Sequence, residues 1–172
     1  MRVSPSLLAL ALGAAVLCGC GKKSGETDQA QTPAEPASAP AEAPQQQPTA
    51  EQAKALLAAL PAPYNTADLD HGKQLFAQCA ACHTAVKGGP NMTGPNLYGV
   101  FGRKAGGLDG FNYSDGLKAA GFTWDAARID SWITNPRAVV PDTRMSFMGL
   151  KDPKDRADVI AYLKVQTTPP AS

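Results

Sequence analysis

Two cysteines and a histidine stand together in the short run Cys79-Ala80-Ala81-Cys82-His83. Thiols at this spacing lie one helical turn apart, so they can add to the two vinyl groups of a porphyrin and form thioethers. The imidazole beside the second thiol would then lie under the iron as its proximal ligand. The run therefore predicts one haem c, attached covalently through Cys79 and Cys82 and ligated by His83.

A bare Cys-x-x-Cys pair also occurs in zinc sites, in dithiol redox motifs and in structural disulfides. Zinc would need a second pair of ligands. The other cysteines, Cys18 and Cys20, lie in an N-terminal segment that is not expected to reach the folded domain, and the only other histidine is His71. A redox dithiol is expected in a strand-helix context, which the sequence does not show. Haem attachment is the preferred interpretation.

The second axial ligand decides what a haem of this kind can do. Iron held by histidine alone binds small molecules or reacts with oxygen species, whereas iron held by histidine and methionine transfers electrons. Met92 lies only nine residues past His83, which leaves little chain to cross the ring. Met145 and Met148 lie in a later loop, and the residues alone do not choose between them. Any one of the three could instead pack in the core.

Residues 1–20 have the pattern of a secretory signal. Arg2 supplies the positive end, and the apolar run of residues 7–17 is shorter than the roughly 20 residues that span a bilayer. The segment ends in Leu17-Cys18-Gly19-Cys20, which resembles a bacterial lipoprotein lipobox with Cys20 as the acylated residue, although Cys18 is unusual there. Ordinary signal cleavage and an uncleaved anchor are the alternatives.

Every one of these interpretations predicts export, which suits a haem c because bacterial cytochromes of that type mature outside the cytoplasm. Gly21 follows the predicted acylation site. In lipoproteins an aspartate at this position favours the inner membrane. We therefore expect the protein on the periplasmic side, anchored by a lipid, and favour the outer membrane.

Composition divides the rest of the chain. Residues 21–63 are rich in Ala, Pro and Gln, and such a segment buries too little apolar surface to offset its ordering entropy. We expect a disordered tether. Within it, Glu51–Leu60 has Leu56, Leu57 and Leu60 on one stripe, which is typical of a short amphipathic helix ended by Pro61, and we prefer a transient helix in a linker. Residues 64–168 form the predicted haem domain, and residues 169–172 form a C-terminal tail.

Helix signals define the haem domain. Thr66 or Asp68 can cap a first helix that leads to the haem cysteines. Thr123 or Asp125 begins a middle helix that Pro136 ends. Asp152, followed by proline at the first helical position, begins the last helix. No alternating strand pattern of useful length is present, so the prediction is an all-α domain whose long loops are wrapped around the haem.

The segment from Gly72 to Leu163 resembles class I cytochrome c, in the branch close to mitochondrial cytochrome c. The matching motifs follow in the family's order: Gly72-Lys73-Gln74-Leu75-Phe76, Thr93-Gly94-Pro95-Asn96-Leu97-Tyr98-Gly99-Val100-Phe101-Gly102-Arg103-Lys104, Asn135-Pro136, Thr143-Arg144-Met145, and Asp158-Val159-Ile160-Ala161-Tyr162-Leu163. The resemblance implies the class I cytochrome c fold with one covalent haem.

The resemblance also implies roles for individual residues. Met145 corresponds to the distal ligand, and Met148 is then a packing residue. Pro95 corresponds to the proline whose carbonyl orients the proximal imidazole. Arg103 corresponds to the arginine near a haem propionate. The resemblance further implies that Tyr113 and Trp124 donate hydrogen bonds to the propionates and that Gly72 and Phe76 pack near Tyr162.

Two positions depart from the family pattern. Trp132 stands where the family has a tyrosine close to the methionine sulfur, and we expect that an indole cannot present the same hydroxyl. Leu117 stands where the mitochondrial branch has an asparagine near a buried water. The first departure puts the reduction potential and the stability of the methionine loop in question.

The net charge of the chain indicates which classes of partner it can attract. The chain carries 16 Lys and Arg against 15 Asp and Glu, a formal net charge of +1, so no basic surface indicates nucleic acid. Mitochondrial relatives are strongly basic, so electrostatic steering onto acidic partners should be weaker here. A tether would instead raise the effective concentration near a membrane.

The expected function is one-electron transfer between donors and acceptors of a respiratory chain, by a monomeric carrier rather than an enzyme. Two alternatives stay open. A five-coordinate haem would act as a peroxidase or a gas sensor, and a docked subunit would relay electrons inside a larger complex. A zinc or disulfide module is a remote third.

Overall fold

The computed structural model describes residues 47–169, and this part of the chain is helical with no β-strand. The α-helices are α1 (Ala50–Ala58), α2 (Leu69–Ala80), α3 (Asp115–Ala119), α4 (Ala126–Thr134), α5 (Pro136–Val139) and α6 (Pro153–Thr167), with a 3-10 turn at Tyr64–Thr66. The all-α prediction is confirmed. Within residues 47–169, no helix combines the length and apolar character needed to span a bilayer. The predicted signal segment with Cys18 and Cys20, and most of the predicted tether, lie outside the described residues.

Side-chain caps begin the three helices that the sequence predicts. The Asp68 carboxylate accepts two backbone N–H groups of the first turn of α2, each at 3.0 Å, so Asp68 rather than Thr66 is the cap. Asp125 caps α4 through a bond of 2.7 Å, and Asp152 caps α6 at 2.7 Å. Each cap satisfies backbone donors that a helix otherwise leaves unpaired at its first turn.

Two short helices are not predicted by the sequence pattern. Ser114 caps α3, a helix of five residues. Pro136 does end α4, as expected, but it also begins α5, which Asn135 caps by accepting the Ala138 N–H at 3.3 Å. Both helices are too short to show an apolar period, which is why pattern reading passes over them.

The centre of the core is the contact between α2 and α6. Gly72 lies so close to the backbone carbonyl of Asp158 that a Cβ at this position would overlap it. One turn later Phe76 packs against Tyr162, with ring centroids 5.4 Å apart. Ile160, which lies on α6 like Tyr162, is completely buried. The prediction that Gly72 and Phe76 pack near Tyr162 is confirmed.

A buried carboxylate ties the starts of α2 and α6 together. Asp158 is only 1% exposed, and it accepts hydrogen bonds from the backbone N–H of Asp68 at 2.9 Å, from His71 Nδ1 at 2.8 Å and from Lys154 Nζ at 2.6 Å. Burial acts to raise the pKa of Asp158, but these hydrogen bonds outweigh it, so the pKa lies below its ordinary value.

The segment predicted as a transient helix in a tether is instead a docked helix. Thr49 and Gln52 form a reciprocal capping box at the start of α1. The helix packs against α6; Leu57 contacts the core, and Leu60, just beyond the helix, is buried in it. Burial of these leucines supplies the free energy that an isolated helix of this length lacks. The folded part therefore begins near Thr49 and not at residue 64.

The long loop after α2 is organised by a single buried amide. The Asn96 Nδ2 group donates to the carbonyl oxygens of Val86 at 2.8 Å and Gly89 at 2.7 Å, and its Oδ1 accepts the Tyr98 N–H at 2.6 Å. Since these bonds cross the loop, they satisfy backbone groups that no regular element pairs. They hold the loop over the core, where it borders the site described next.

Candidate cofactor-binding site

The helices and loops enclose a cavity of about 300 Å³. All eight cofactor-binding residues predicted from the sequence line it, although they come from four separate parts of the chain. These residues are Cys79, Cys82, His83, Pro95, Arg103, Tyr113, Trp124 and Met145. Apolar side chains such as Leu97, Val100 and Leu163 line it as well. The structure thus brings the whole predicted set to one place.

The two thiols lie at the end of α2. The backbone N–H groups of Cys82 and His83 donate to the Cys79 carbonyl at 3.0 and 2.9 Å, which continues the helical turn through the motif. Both thiols are free; Cys79 is half-buried and Cys82 is exposed. Burial, with a smaller contribution from Cys82, raises the pKa of Cys79 to about 11, so this thiol is protonated at neutral pH.

The His83 imidazole is fixed by the loop that follows it. Its Nδ1 lies 2.7 Å from the Pro95 carbonyl oxygen. A carbonyl only accepts, so Nδ1 carries the hydrogen and donates it, which leaves the lone pair on Nε2 free. Burial lowers the pKa of His83, and the bond to Pro95 opposes this shift only in part. The ring is therefore held as the neutral tautomer that ligates metals through Nε2.

Gly94 is a site residue to which the sequence alone assigns no role. A Cβ at this position would overlap the His83 ring. Its N–H also donates to the Cys82 carbonyl at 2.8 Å. The loop backbone thus packs directly on the imidazole. The only signal for this contact in the sequence is the glycine beside Pro95, because glycine marks places where backbone approaches another group closely.

The three candidate methionines differ in exposure. Met145 is half-buried and lines the cavity, whereas Met92 is 47% exposed and Met148 is 87% exposed. The Trp132 Nε1–H donates to Met145 Sδ at 3.1 Å. The indole has no hydroxyl, as expected, but its N–H group supplies a hydrogen-bond donor to this sulfur.

The loop that carries Met145 is tied down by the residues that come just before it. The Asp142 carboxylate accepts the Gly116 N–H at 2.8 Å and the Ser114 hydroxyl at 3.3 Å. Arg144 Nη1 donates to the Asn112 carbonyl at 2.9 Å. These bonds join the methionine loop to the start of α3 and to the residues before it. Each of these bonds joins residues that are 26 to 32 positions apart, so no local sequence pattern predicts it.

Comparison with known proteins assigns a family to this arrangement of residues. The family model for cytochrome c matches residues 69–167, which is more than half of the chain. The chain belongs to the cytochrome c family.

Relatives of known name agree with this assignment. Cytochrome c2 from Rhodomicrobium vannielii is 50% identical over 103 residues, which cover 60% of this chain and 82% of that protein. A cytochrome c homolog from Bradyrhizobium diazoefficiens is 48% identical over 57% of this chain and 54% of that protein. The solved structure of cytochrome cH from Methylobacterium extorquens is 48% identical, with a TM-score of 0.53, and matches 56% of this chain and 97% of that one. Such cytochromes are electron carriers rather than enzymes.

Cytochromes c bind one haem covalently through a cysteine pair, and Cys79 and Cys82 are present for that role. The cavity fits the group, because two free thiols, a neutral imidazole and a mostly apolar wall meet there. Within residues 47–169, no cluster of three or more His, Cys, Asp or Glu is placed to hold a metal ion.

Arg103, Tyr113 and Trp124 lie in the cavity wall together with other polar residues such as Asn112 and Arg144. Arg103 Nη1 donates to the Asn96 carbonyl at 2.8 Å, and Nη2 donates to the Tyr98 carbonyl. Burial raises the pKa of Tyr113, and the nearby Arg103 guanidinium opposes that rise. Leu117, at the other departure from the family pattern, is a buried apolar residue of the same wall.

Proposed function

We propose that this protein is a membrane-tethered one-electron carrier whose haem iron is held by His83 and Met145. One observation carries the ligand assignment: Met145 lines the same cavity as His83, whereas Met92 and Met148 are exposed and do not line it. Iron with these two ligands exchanges one electron between its ferrous and ferric states and has a raised potential.

Each residue of the site has a defined task in this proposal. The two thiols fix the haem in the chain. The Pro95 carbonyl and Gly94 hold the His83 ring in one tautomer, with the hydrogen on Nδ1 and the lone pair of Nε2 free for a metal. The bonds of Asp142 and Arg144 hold the methionine loop closed. If His83 and Met145 both held the iron, small molecules would have no free coordination site, which favours a carrier over a peroxidase or a gas sensor.

The haem propionates are the second part of the proposal. We assign them to the part of the cavity wall that holds Arg103, Tyr113 and Trp124. A guanidinium is a permanent cation, and a phenol and an indole can each donate one hydrogen bond. The position of all three in the cavity wall supports this assignment.

Attachment to the membrane is the third part. The lipobox-like run ending in Cys20 supports a lipid anchor on the extracytoplasmic side, and Gly21 supports the outer membrane. From residue 64 onward, twelve Lys and Arg face ten Asp and no Glu. Long-range steering of this domain onto redox partners is therefore weak. Confinement near a membrane raises the effective concentration of those partners without a strong field.

The ligand assignment is tested by comparing two methionine variants, Met145→Leu and Met148→Leu. Both are expressed in a host that installs haem c, and the ferric proteins are examined for the weak near-infrared band that methionine ligation gives. We expect the parent and Met148→Leu to show the band and Met145→Leu to lack it. Met145→Leu should also have a lower reduction potential and should bind carbon monoxide in the ferrous state.

Two outcomes would contradict the proposal. If the parent lacked the band at neutral pH and bound carbon monoxide readily, the five-coordinate alternative would replace the carrier. If Met148→Leu rather than Met145→Leu lost the band, the exposed methionine would be the ligand. Because the two substitutions are chemically identical and lie three residues apart, a general effect of replacing methionine cannot imitate either result.

A further inference from the structure

The hydrogen bond between Trp132 and Met145 is the starting point. Trp132 lies on α4 and is only 8% exposed, and its Nε1–H donates to Met145 Sδ at 3.1 Å. A thioether sulfur is a weak acceptor with two lone pairs. One pair can accept the indole hydrogen while the other stays free for a metal.

Neighbouring aromatic rings fix the direction of this donor. Trp132 packs edge-on against Trp124 with centroids 5.3 Å apart, and Trp124 packs edge-on against Phe122 at 4.8 Å. Arg128, one turn before Trp132 on α4, lies 4.8 Å over the Phe122 ring. The four side chains thus form a row that begins at Trp132 and ends at Arg128, both on α4. Edge-to-face and cation–π contacts of this kind stabilise the row more than burial of the rings alone would.

An indole differs from a phenol in what it offers the sulfur. Its N–H lies in the plane of the ring and only donates, so the orientation of the ring determines where the hydrogen points. A tyrosine hydroxyl rotates about its C–O bond and can also accept. Because the aromatic neighbours hold the Trp132 ring, its hydrogen has one direction, towards Met145.

We propose that Trp132 is a positioning residue that sets how strongly Met145 donates to the iron. The inference rests on the proposed function, because it takes Met145 as the axial ligand. The N–H bond draws electron density from the sulfur. Ferric iron depends on that density more than ferrous iron does, so the bond weakens sulfur binding to the ferric state more. Trp132 therefore raises the reduction potential and restrains the rotation of the methionine side chain.

The test compares Trp132→Phe, which removes the donor, with Trp132→Tyr, which supplies a hydroxyl. Without the donor we expect the sulfur to bind ferric iron about threefold to tenfold more strongly relative to ferrous iron. For a one-electron couple this is a fall in potential of about 30–60 mV. The near-infrared band should persist to higher denaturant concentration in ferric Trp132→Phe. Trp132→Tyr should lie closer to the parent in both measurements.

Failure of this inference is distinguishable from failure of the proposed function. If the parent lacked the methionine band, both would be wrong. If the parent showed the band but Trp132→Phe kept the parent's potential, only the role of Trp132 would be overturned. An equal fall in Trp132→Phe and Trp132→Tyr would also overturn it, because the change would then follow the lost ring volume and not the donor.

A measurement on the unmodified protein covers the case in which the variants do not fold. In the diamagnetic ferrous state, the Trp132 Nε1–H proton should exchange slowly with solvent and show a nuclear Overhauser effect to the Met145 side-chain protons. Rapid exchange, or the absence of that effect in a spectrum where both groups are assigned, would contradict the inference.

Discussion

At the scale of the residue, Asp158 shows how one buried charge is tolerated. A carboxylate that is 1% exposed would be costly alone, yet three donors bind it: the Asp68 backbone N–H, His71 Nδ1 and Lys154 Nζ. Two of them, His71 and Lys154, keep part of their side chains in water. The charge therefore links the starts of α2 and α6, while the His71 and Lys154 side chains stay partly hydrated.

We expect Asp158→Asn to make the haem-loaded protein about 2–3 kcal/mol less stable at neutral pH, because it removes the buried charge that these donors bind and places an amide N–H group where an acceptor is needed. The folded-state pKa of Asp158 is lowered, so its contribution is fully present above the unfolded-state pKa of about 3.9 and is lost as the pH falls through the folded-state pKa. The stability difference between the two proteins should therefore shrink below about pH 4. Urea unfolding at neutral and acidic pH measures both values.

Asp115→Asn is the matched control. The Asp115 side chain is 98% exposed and pairs only with Lys118 at 3.3 Å, so its loss should change the free energy of unfolding by less than about 1 kcal/mol. Equal effects of the two substitutions, or an Asp158→Asn difference that does not shrink with acid, would show that the carboxylate network does not stabilise the fold.

Single residues could be predicted from the sequence where their chemistry identifies them. Cys79, Cys82 and His83 form a motif whose spacing has one good explanation, and their common cavity follows from it. The donor role of Trp132, the contact of Gly94 with the imidazole and the bonds of Asp142 could not be predicted in this way. Each depends on where a second, distant element places its partner, and no local period records that placement.

At the scale of the element, α1 adds a helix that lies outside the matched family segment, which begins at residue 69. The helix has no fully buried residue of its own, and its docking depends on Leu57 and on Leu60 just beyond its end. Tyr64, in the 3-10 turn that follows, is buried in the same cluster. Residues 49–64 thus form an arm that covers part of α6.

We expect Leu60→Ala to lower the free energy of unfolding by about 2–3 kcal/mol, because it removes a buried side chain from the joint between the arm and α6. Lys54→Ala, on the exposed side of α1, should change it by less than about 0.5 kcal/mol. Denaturant unfolding followed by far-ultraviolet circular dichroism measures both. If Leu60→Ala behaved like Lys54→Ala, the arm would not contribute to the stability of the domain. Neither substitution should alter the haem spectrum, since neither residue lines the cavity.

Helices with both a cap and an apolar stripe were predictable, and α2, α4 and α6 begin at the expected aspartates. The sequence of α1 showed its leucine stripe as well. Because the segment is surrounded by Ala, Pro and Gln, the sequence suggested that it had nothing to pack against. Only the fold shows that α6 offers an apolar face, which α1 covers. Composition describes a segment and its neighbours in sequence, whereas docking depends on neighbours in space.

At the scale of the whole molecule, the chain joins an electron-carrier domain to an N-terminal segment of a very different composition. The nearly balanced charge of the domain provides little electrostatic steering of partners from solution. A membrane anchor would compensate, because it confines carrier and partner to a thin layer. Weak electrostatic steering would therefore be a smaller disadvantage for an anchored carrier than for one that diffuses freely.

The anchor is tested by Cys20→Ser, with Cys18→Ser as the matched control. We expect Cys20→Ser to move the haem protein from the membrane fraction to the soluble periplasmic fraction and to remove the lipid mass from the mature N-terminus. Cys18→Ser should stay in the membrane fraction with the lipid in place. Fractionation and intact-mass spectrometry measure these outcomes. A Cys20→Ser protein that stayed membrane-bound would indicate an uncleaved anchor instead.

The docked arm also determines how the molecule can be shortened. A protein cut back to the family boundary at Leu69 would keep every residue of the cavity wall, so it should take up haem and look normal by colour. It would, however, present to water the apolar patch that Leu57 and Leu60 now cover on α6. Two shortened molecules could hide their patches against each other, and the resulting dimers and aggregates would be a product of the cut and not of the carrier.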